Sequence, residues 1–214
     1  MTNIEFVKML ELACDNKSLY VKGGFGAPAG YGDNRQKYID LYSYNTKRAA
    51  KINAASDDTF FFDCVCLGKG ILWGWYAATG KRYGGAKYAS NGVPDFTATS
   101  VPKHCTTWSD NMGDKISVGE WLVERDAKGE IDHVGYYVGG GNVIEASPRG
   151  TDGVQLNPLS ARAWCGHGKI KYLDYVEERE SRFIIVLTDT YDTESAARFD
   201  LTQIARNGQI IEIK

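Results

Sequence analysis

Cys64 lies in the run Phe60-Phe61-Phe62-Asp63-Cys64-Val65-Cys66-Leu67, where an apolar, strand-like stretch passes into a helix-like one. A thiol at such a junction meets the unpaired N–H groups and partial positive charge of a helix start, which favour the nucleophilic thiolate. Downstream, His133 opens the alternating segment His133-Val134-Gly135-Tyr136-Tyr137-Val138, and Glu145 sits on the next strand-like segment. A cysteine beside three phenylalanines is, by itself, ordinarily a core residue. Cysteine, histidine and a carboxylate together are the parts of a nucleophilic hydrolase: sulfur attacks, imidazole carries the proton, carboxylate orients the imidazole. A hairpin turn at Gly139-Gly140-Gly141-Asn142 separates His133 from Glu145, so both side chains can share one sheet face.

These residues need a helix and a sheet to hold them. The helix beginning near Cys64 carries Leu67, Ile71, Leu72 and Trp75 on one apolar face, and its Gly68, Gly70 and Gly74 suit the close approach of another element. Strands are expected at 118–124, 131–138, 143–146, 154–156 and 169–173, forming an antiparallel sheet. At the N-terminus, Thr2-Asn3-Ile4-Glu5 is a capping box, and helical spacing follows over 3–14. The glycine-rich Tyr20–Pro28 stretch must turn, residues 27–58 read as an irregular insertion or a surface helix pair, and 79–115 as a loop-rich lip or lid. The fold class is therefore α+β: a helix bearing the nucleophile packed on an antiparallel sheet. One domain spans 1–176, a charged linker spans 177–182, and a small βαβ-like unit spans 183–214, either a docked extension or part of a wall-binding module.

Composition narrows the function. A 214-residue chain with 43% hydrophobic and 24% charged residues is of ordinary globular type, and its formal charge of −2 offers no basic stripe for nucleic acid. No apolar run is long enough to span a membrane, so no membrane insertion is expected. The N-terminus lacks the basic-then-apolar pattern of a secretory signal, which predicts synthesis in a cytoplasm with the five cysteines reduced. His104-Cys105 and Cys165-Gly166-His167 lack a structural zinc spacing, so neither a metal nor another cofactor is expected. Trp73, Trp75, Trp121 and Trp164 read as core and cleft wall, and Trp108 as a substrate contact.

Asp63-Cys64, His133-Val134-Gly135-Tyr136-Tyr137-Val138-Gly139 and Val143-Ile144-Glu145-Ala146-Ser147 resemble, in order, the motifs of the NlpC family of papain-like cysteine peptidases. Tyr20-Val21-Lys22-Gly23-Gly24 is similar to that family's aromatic-x-x-Gly-Gly segment. The resemblance covers residues 3–175 and is nearest to phage and prophage endolysins. It implies Cys64, His133 and Glu145 as catalytic, Tyr20 and Asp63 as substrate-binding, and bacterial peptidoglycan as partner, cut at the wall after release of the protein. It implies cleavage of a stem-peptide amide through a thioester. The same fold admits an N-acetylmuramoyl-L-alanine amidase, an acyltransferase, or a catalytically silent wall-binding relative. Two departures stand out: Val65-Cys66 replaces the family's Ser-Gly, which removes a hydroxyl used on a free substrate amine, and Glu145 stands where His, Asn or Gln is usual.

Overall fold

A computed structural model of the chain describes residues 1–177. The βαβ-like unit expected at 183–214 and the linker beyond Glu177 lie outside the described residues. Helix α1 (Asn3–Asp15) starts at Thr2, whose hydroxyl accepts from the Glu5 N–H while the Glu5 carboxylate accepts from the Thr2 N–H, the expected capping box. Strands β1 (Ser18–Tyr20), β2 (Phe25–Pro28) and β3 (Phe60–Phe62) form a three-stranded sheet in the order β1-β3-β2. Strand β3 is central, parallel to β1 and antiparallel to β2. That position explains why Phe60, Phe61 and Phe62 are all buried: both faces of the strand are covered, so the sequence runs continuously apolar instead of alternating.

Between β2 and β3 the chain forms three short helices, α2 (Asn34–Leu41), α3 (Ser43–Thr46) and α4 (Ala49–Ala54), where sequence suggested an irregular insertion or a helix pair. Helix α5 (Cys64–Leu72) follows β3 and is buried over its whole length, Lys69 included, where sequence suggested a single apolar face. It ends before Trp73, so Trp75 packs from the following turn and not from the helix face expected of it.

A six-stranded antiparallel sheet has the order β4-β9-β5-β6-β7-β8, made from β4 (Cys105–Ser109), β5 (Trp121–Arg125), β6 (Ile131–Gly139), β7 (Asn142–Ser147), β8 (Gly153–Pro158) and β9 (Trp164–Ile170). Strand β4 and most of β9 fall where no strand was expected. Polar and glycine residues in Cys105-Thr106-Thr107-Trp108 and Trp164-Cys165-Gly166-His167 mask the alternation. One sheet face packs on α5: Trp121, Val123, Val134, Tyr136, Ile144 and Ala146 share a core with Leu67 and Ile71. The other face carries Leu122, Val143 and Trp164. Alternation along β6 and β7 therefore assigns His133 and Glu145 to the face away from α5.

The Tyr136 hydroxyl fastens helix to sheet, donating to the Cys64 carbonyl at 2.6 Å and accepting from the Gly68 N–H at 2.8 Å. A Cβ on Gly68 would stand 2.6 Å from both the Trp121 and the Tyr136 rings. Gly68→Ala gains about 1 kcal/mol of helix propensity, but overpacking between two buried rings costs about 1–3 kcal/mol. The expected net effect is a lower thermal midpoint; an unchanged or raised one would show that α5 has room to move off the sheet.

Candidate active site

Asp63 is the N-cap of α5. One carboxylate oxygen accepts from the Cys66 N–H and the other from the Gly23 N–H, each at 2.7 Å. Both oxygens are thus taken by backbone, and the residue is 8% exposed. Asp63 thus joins the glycine turn after β1 to the helix start, and it also lines the cleft on the Cys64 side, where sequence had assigned it to substrate.

Cys64 is the first residue of α5, and three groups able to donate stand near its sulfur, each favouring the thiolate: the Val65 and Val134 N–H groups and the Tyr20 hydroxyl. The Val134 N–H is not taken up by the β6–β7 ladder, which ends at the Tyr136–Ile144 pair. Burial, and then the charge of Asp63, push the thiol up to about 12 against the pull of those donors. The helix start therefore does not make a resting thiolate, as the sequence alone suggested. A group at about 12 is a thiol at neutral pH, so its proton must leave in the same step that uses the sulfur.

Tyr20, at the end of β1, is fixed from several sides. Its N–H donates to Asp152 O at 2.9 Å, Arg48 Nη2 donates to its carbonyl at 3.1 Å, and its ring meets Tyr44 edge-on. Burial and the neighbouring Cys64 and Asp63 push the phenol upward, so it stays a donor. Cys66 also borders the site, beside Asp63 and Lys69; burial first and then Asp63 push its thiol well up. Lys69 is 3% exposed, donating to Phe96 O and Asp95. Burial draws its ammonium down, but Cys66 and Asp95 outweigh that.

His133 Nε2 is hydrogen-bonded to Glu145 Oε2, and the imidazole stacks on Trp164 with centroids 5.8 Å apart. Glu145 is 1% exposed. Burial alone would raise its carboxyl, but His133 and Arg162 outweigh that and hold it at about 2. The structure thus brings together Cys64, Tyr20 and Asp63 as one group and His133 with Glu145 as another. The two meet at β6, where the Val134 N–H stands near the sulfur and His133 is the residue before it. Among the described residues, no hydrogen bond joins Cys64 to His133.

The Cys64 side opens into a cleft of about 770 Å³, walled by Tyr20, Tyr42, Tyr44, Tyr83 and Tyr88 and edged by Asp132. The loop-rich region expected to form a lip contributes Tyr83, Tyr88 and 95–99 to this wall. Trp108 is not part of it; its indole donates to Asp110 at 3.1 Å. Sequence reasoning missed Arg162 and Asn157 around Glu145, because single polar residues carry no periodic signal, and it read Trp164 as core and cleft wall and not as the cover of His133.

No protein-family model matches this chain, and no curated protein does. Among solved structures it is similar to NlpC1 from Trichomonas vaginalis, at 16% identity and a TM-score of 0.43, over 78% of this chain and 44% of that one. NlpC2 from Trichomonas vaginalis gives 15% identity and a TM-score of 0.42 over 78% and 46% of the two chains. An NlpC/P60 family protein from Bacillus cereus ATCC 10987 gives 21% identity and a TM-score of 0.31 over 52% and 32%. The chain spans less than half the length of each of these proteins. At these scores the overlap assigns neither family nor activity.

Asp63→Asn keeps a cap acceptor but removes the charge beside the sulfur. The variant is expected to lose about 1–2 kcal/mol of stability. Its Cys64, followed by mass mapping, should be alkylated by iodoacetamide at pH 8 faster than in the parent protein. Slower or equal alkylation in folded protein would mean that burial alone, and not Asp63, holds the proton on sulfur.

Proposed function

We propose that this chain is a cysteine hydrolase that cuts an amide bond in the stem peptide of bacterial peptidoglycan. The observation that carries the reading is Cys64 itself: a thiol on a helix start, lining an open cleft, beside the backbone N–H of the residue that follows a carboxylate-held histidine. With Nε2 engaged by Glu145, Nδ1 is the nitrogen left to take the thiol proton. That transfer requires Nδ1 to come within about 3–3.5 Å of the sulfur.

In this mechanism the sulfur attacks the amide carbon as its proton passes to His133. The oxyanion is met by the Cys64 N–H, in the first helical turn where N–H groups lack helical partners, and by the Tyr20 hydroxyl. The C–N bond then breaks, with the proton passing from His133 to the leaving amine. Water, deprotonated by the same imidazole, hydrolyses the thioester and returns the thiol. Glu145 stays ionised and stabilises the imidazolium. The engaged carboxylate of Asp63 and the absence of a hydroxyl at Val65 support a substrate not read by its free amino terminus. The setting proposed is that of a phage or prophage endolysin, with peptidoglycan as partner and the wall as place of action.

A second reading has its own support. The thiol held at about 12, without a hydrogen bond to His133, also suits a silent relative that binds wall material. Incubation with defined peptidoglycan, read by mass spectrometry of released fragments, separates the two. The hydrolase is expected to release new amino termini at a rate that falls at least about 10³-fold in Cys64→Ala and in His133→Ala. Equal, negligible release by all three proteins would leave only binding.

A further inference from the structure

We infer that Arg162 is a positioning residue for the His133–Glu145 pair, acting through the Glu145 carboxylate while Trp164, at the start of β9, covers the imidazole. The role rests on the hydrolase reading above; the contacts do not. Arg162 Nε lies 2.6 Å from Glu145 Oε2, the oxygen that also meets His133. Its Nη1 donates to Glu124 Oε2 at 2.8 Å and its Nη2 to Ser147 Oγ at 2.7 Å. The remaining Glu145 oxygen accepts from Asn157 Nδ2 at 2.8 Å. Glu124 is the β5 partner of His133 in the ladder, so the guanidinium stands between two carboxylates directly behind the imidazole.

The charge count explains why a cation is needed there. Glu124 and Glu145 are two formal negative charges with little water around them, and Arg162 cancels one. The remaining negative charge is what an imidazolium at His133 would complement. Without Arg162, Glu145 would face Glu124 as a like charge and take up a proton more readily. A protonated carboxyl is a poor acceptor for Nε2–H and leaves the ring free to turn. The planar fork fixes orientation as well as charge, because two of its nitrogens donate to Glu124 and Ser147 while the third is held against Glu145 as an ion pair. Trp164, two residues on, stacks with the imidazole at 25° between planes, and the guanidinium carbon lies 6.0 Å from the Trp164 ring centroid. Segment 162–164 thus holds the base from behind and from one face.

The test compares the full chain with Arg162→Gln and Arg162→Lys, using carboxyl ¹³C NMR titration of Glu145 alongside kinetics on peptidoglycan fragments. Glu145 has its folded value at about 2 against an ordinary 4.5, so its contribution to stability is present above 4.5 and lost as pH falls through about 2. In Arg162→Gln the titration should move up by about one pH unit or more. In Arg162→Lys the titration should stay near that of the parent, while kcat falls about tenfold and KM changes less than about twofold. An unmoved Glu145 in folded Arg162→Gln would overturn the inference. If Arg162→Gln does not fold, the lysine variant decides, and a parental kcat there would overturn it. If Glu145 moves as expected but the parent protein releases nothing from wall material, the hydrolase reading fails and the clamp stands. Cys64-dependent release with parental behaviour in both variants is the reverse case.

Discussion

Asp63 does two things that oppose each other, and the site is built around the conflict. Its carboxylate joins the turn at Gly23 to the first turn of α5, which fixes where the Cys64 sulfur sits. The same charge, buried beside the thiol, keeps the proton on sulfur. Capping with a carboxylate is worth about 1–2 kcal/mol to the helix, while each unit of upward shift adds about 1.4 kcal/mol to the cost of a thiolate. Position is secured at the expense of resting reactivity. A sulfur held in that way reacts only when a base is brought to it.

The base belongs to the other side of the sheet. Strand β6 presents Val134 and Tyr136 to α5 and His133 to the opposite face, so one strand serves both halves of the site. Tyr136 sets the helix height through the Cys64 carbonyl and the Gly68 N–H, and the Val134 N–H stands near the sulfur. His133 is anchored by Glu145 and covered by Trp164. The β6–β7 ladder ends at Tyr136–Ile144, before it reaches His133 and Glu145. Rigidity of each half comes from burial, and the chemistry depends on the gap between them.

The capping box before α1, the strand-to-helix change at Cys64 and the hairpin at 139–142 were legible in sequence because each has a local signal: side-chain spacing, periodicity or a run of glycines. The glycines at 68 and 70 also read correctly as sites of close approach, to Trp121 and Tyr136 and to the Phe25 carbonyl. What sequence could not show is nonlocal. Asp63 looks the same in sequence whether or not backbone N–H groups hold its carboxylate, and only the return of Gly23 to the helix start shows that they do. Arg162 and Asn157 come from β8 and the turn before β9, and nothing in their spacing connects them to Glu145. The sign of the Cys64 shift was misread for a related reason: the helix start is visible in sequence, but the depth of burial that outweighs it is not.

The most direct test of the account is to find the acyl group during turnover. Protein mixed with a peptidoglycan stem peptide, quenched in acid after one turnover time and mapped by peptide mass spectrometry, should carry the acyl fragment as a thioester on Cys64. Product formed with no adduct on any cysteine, or with the adduct on Cys66, would contradict it.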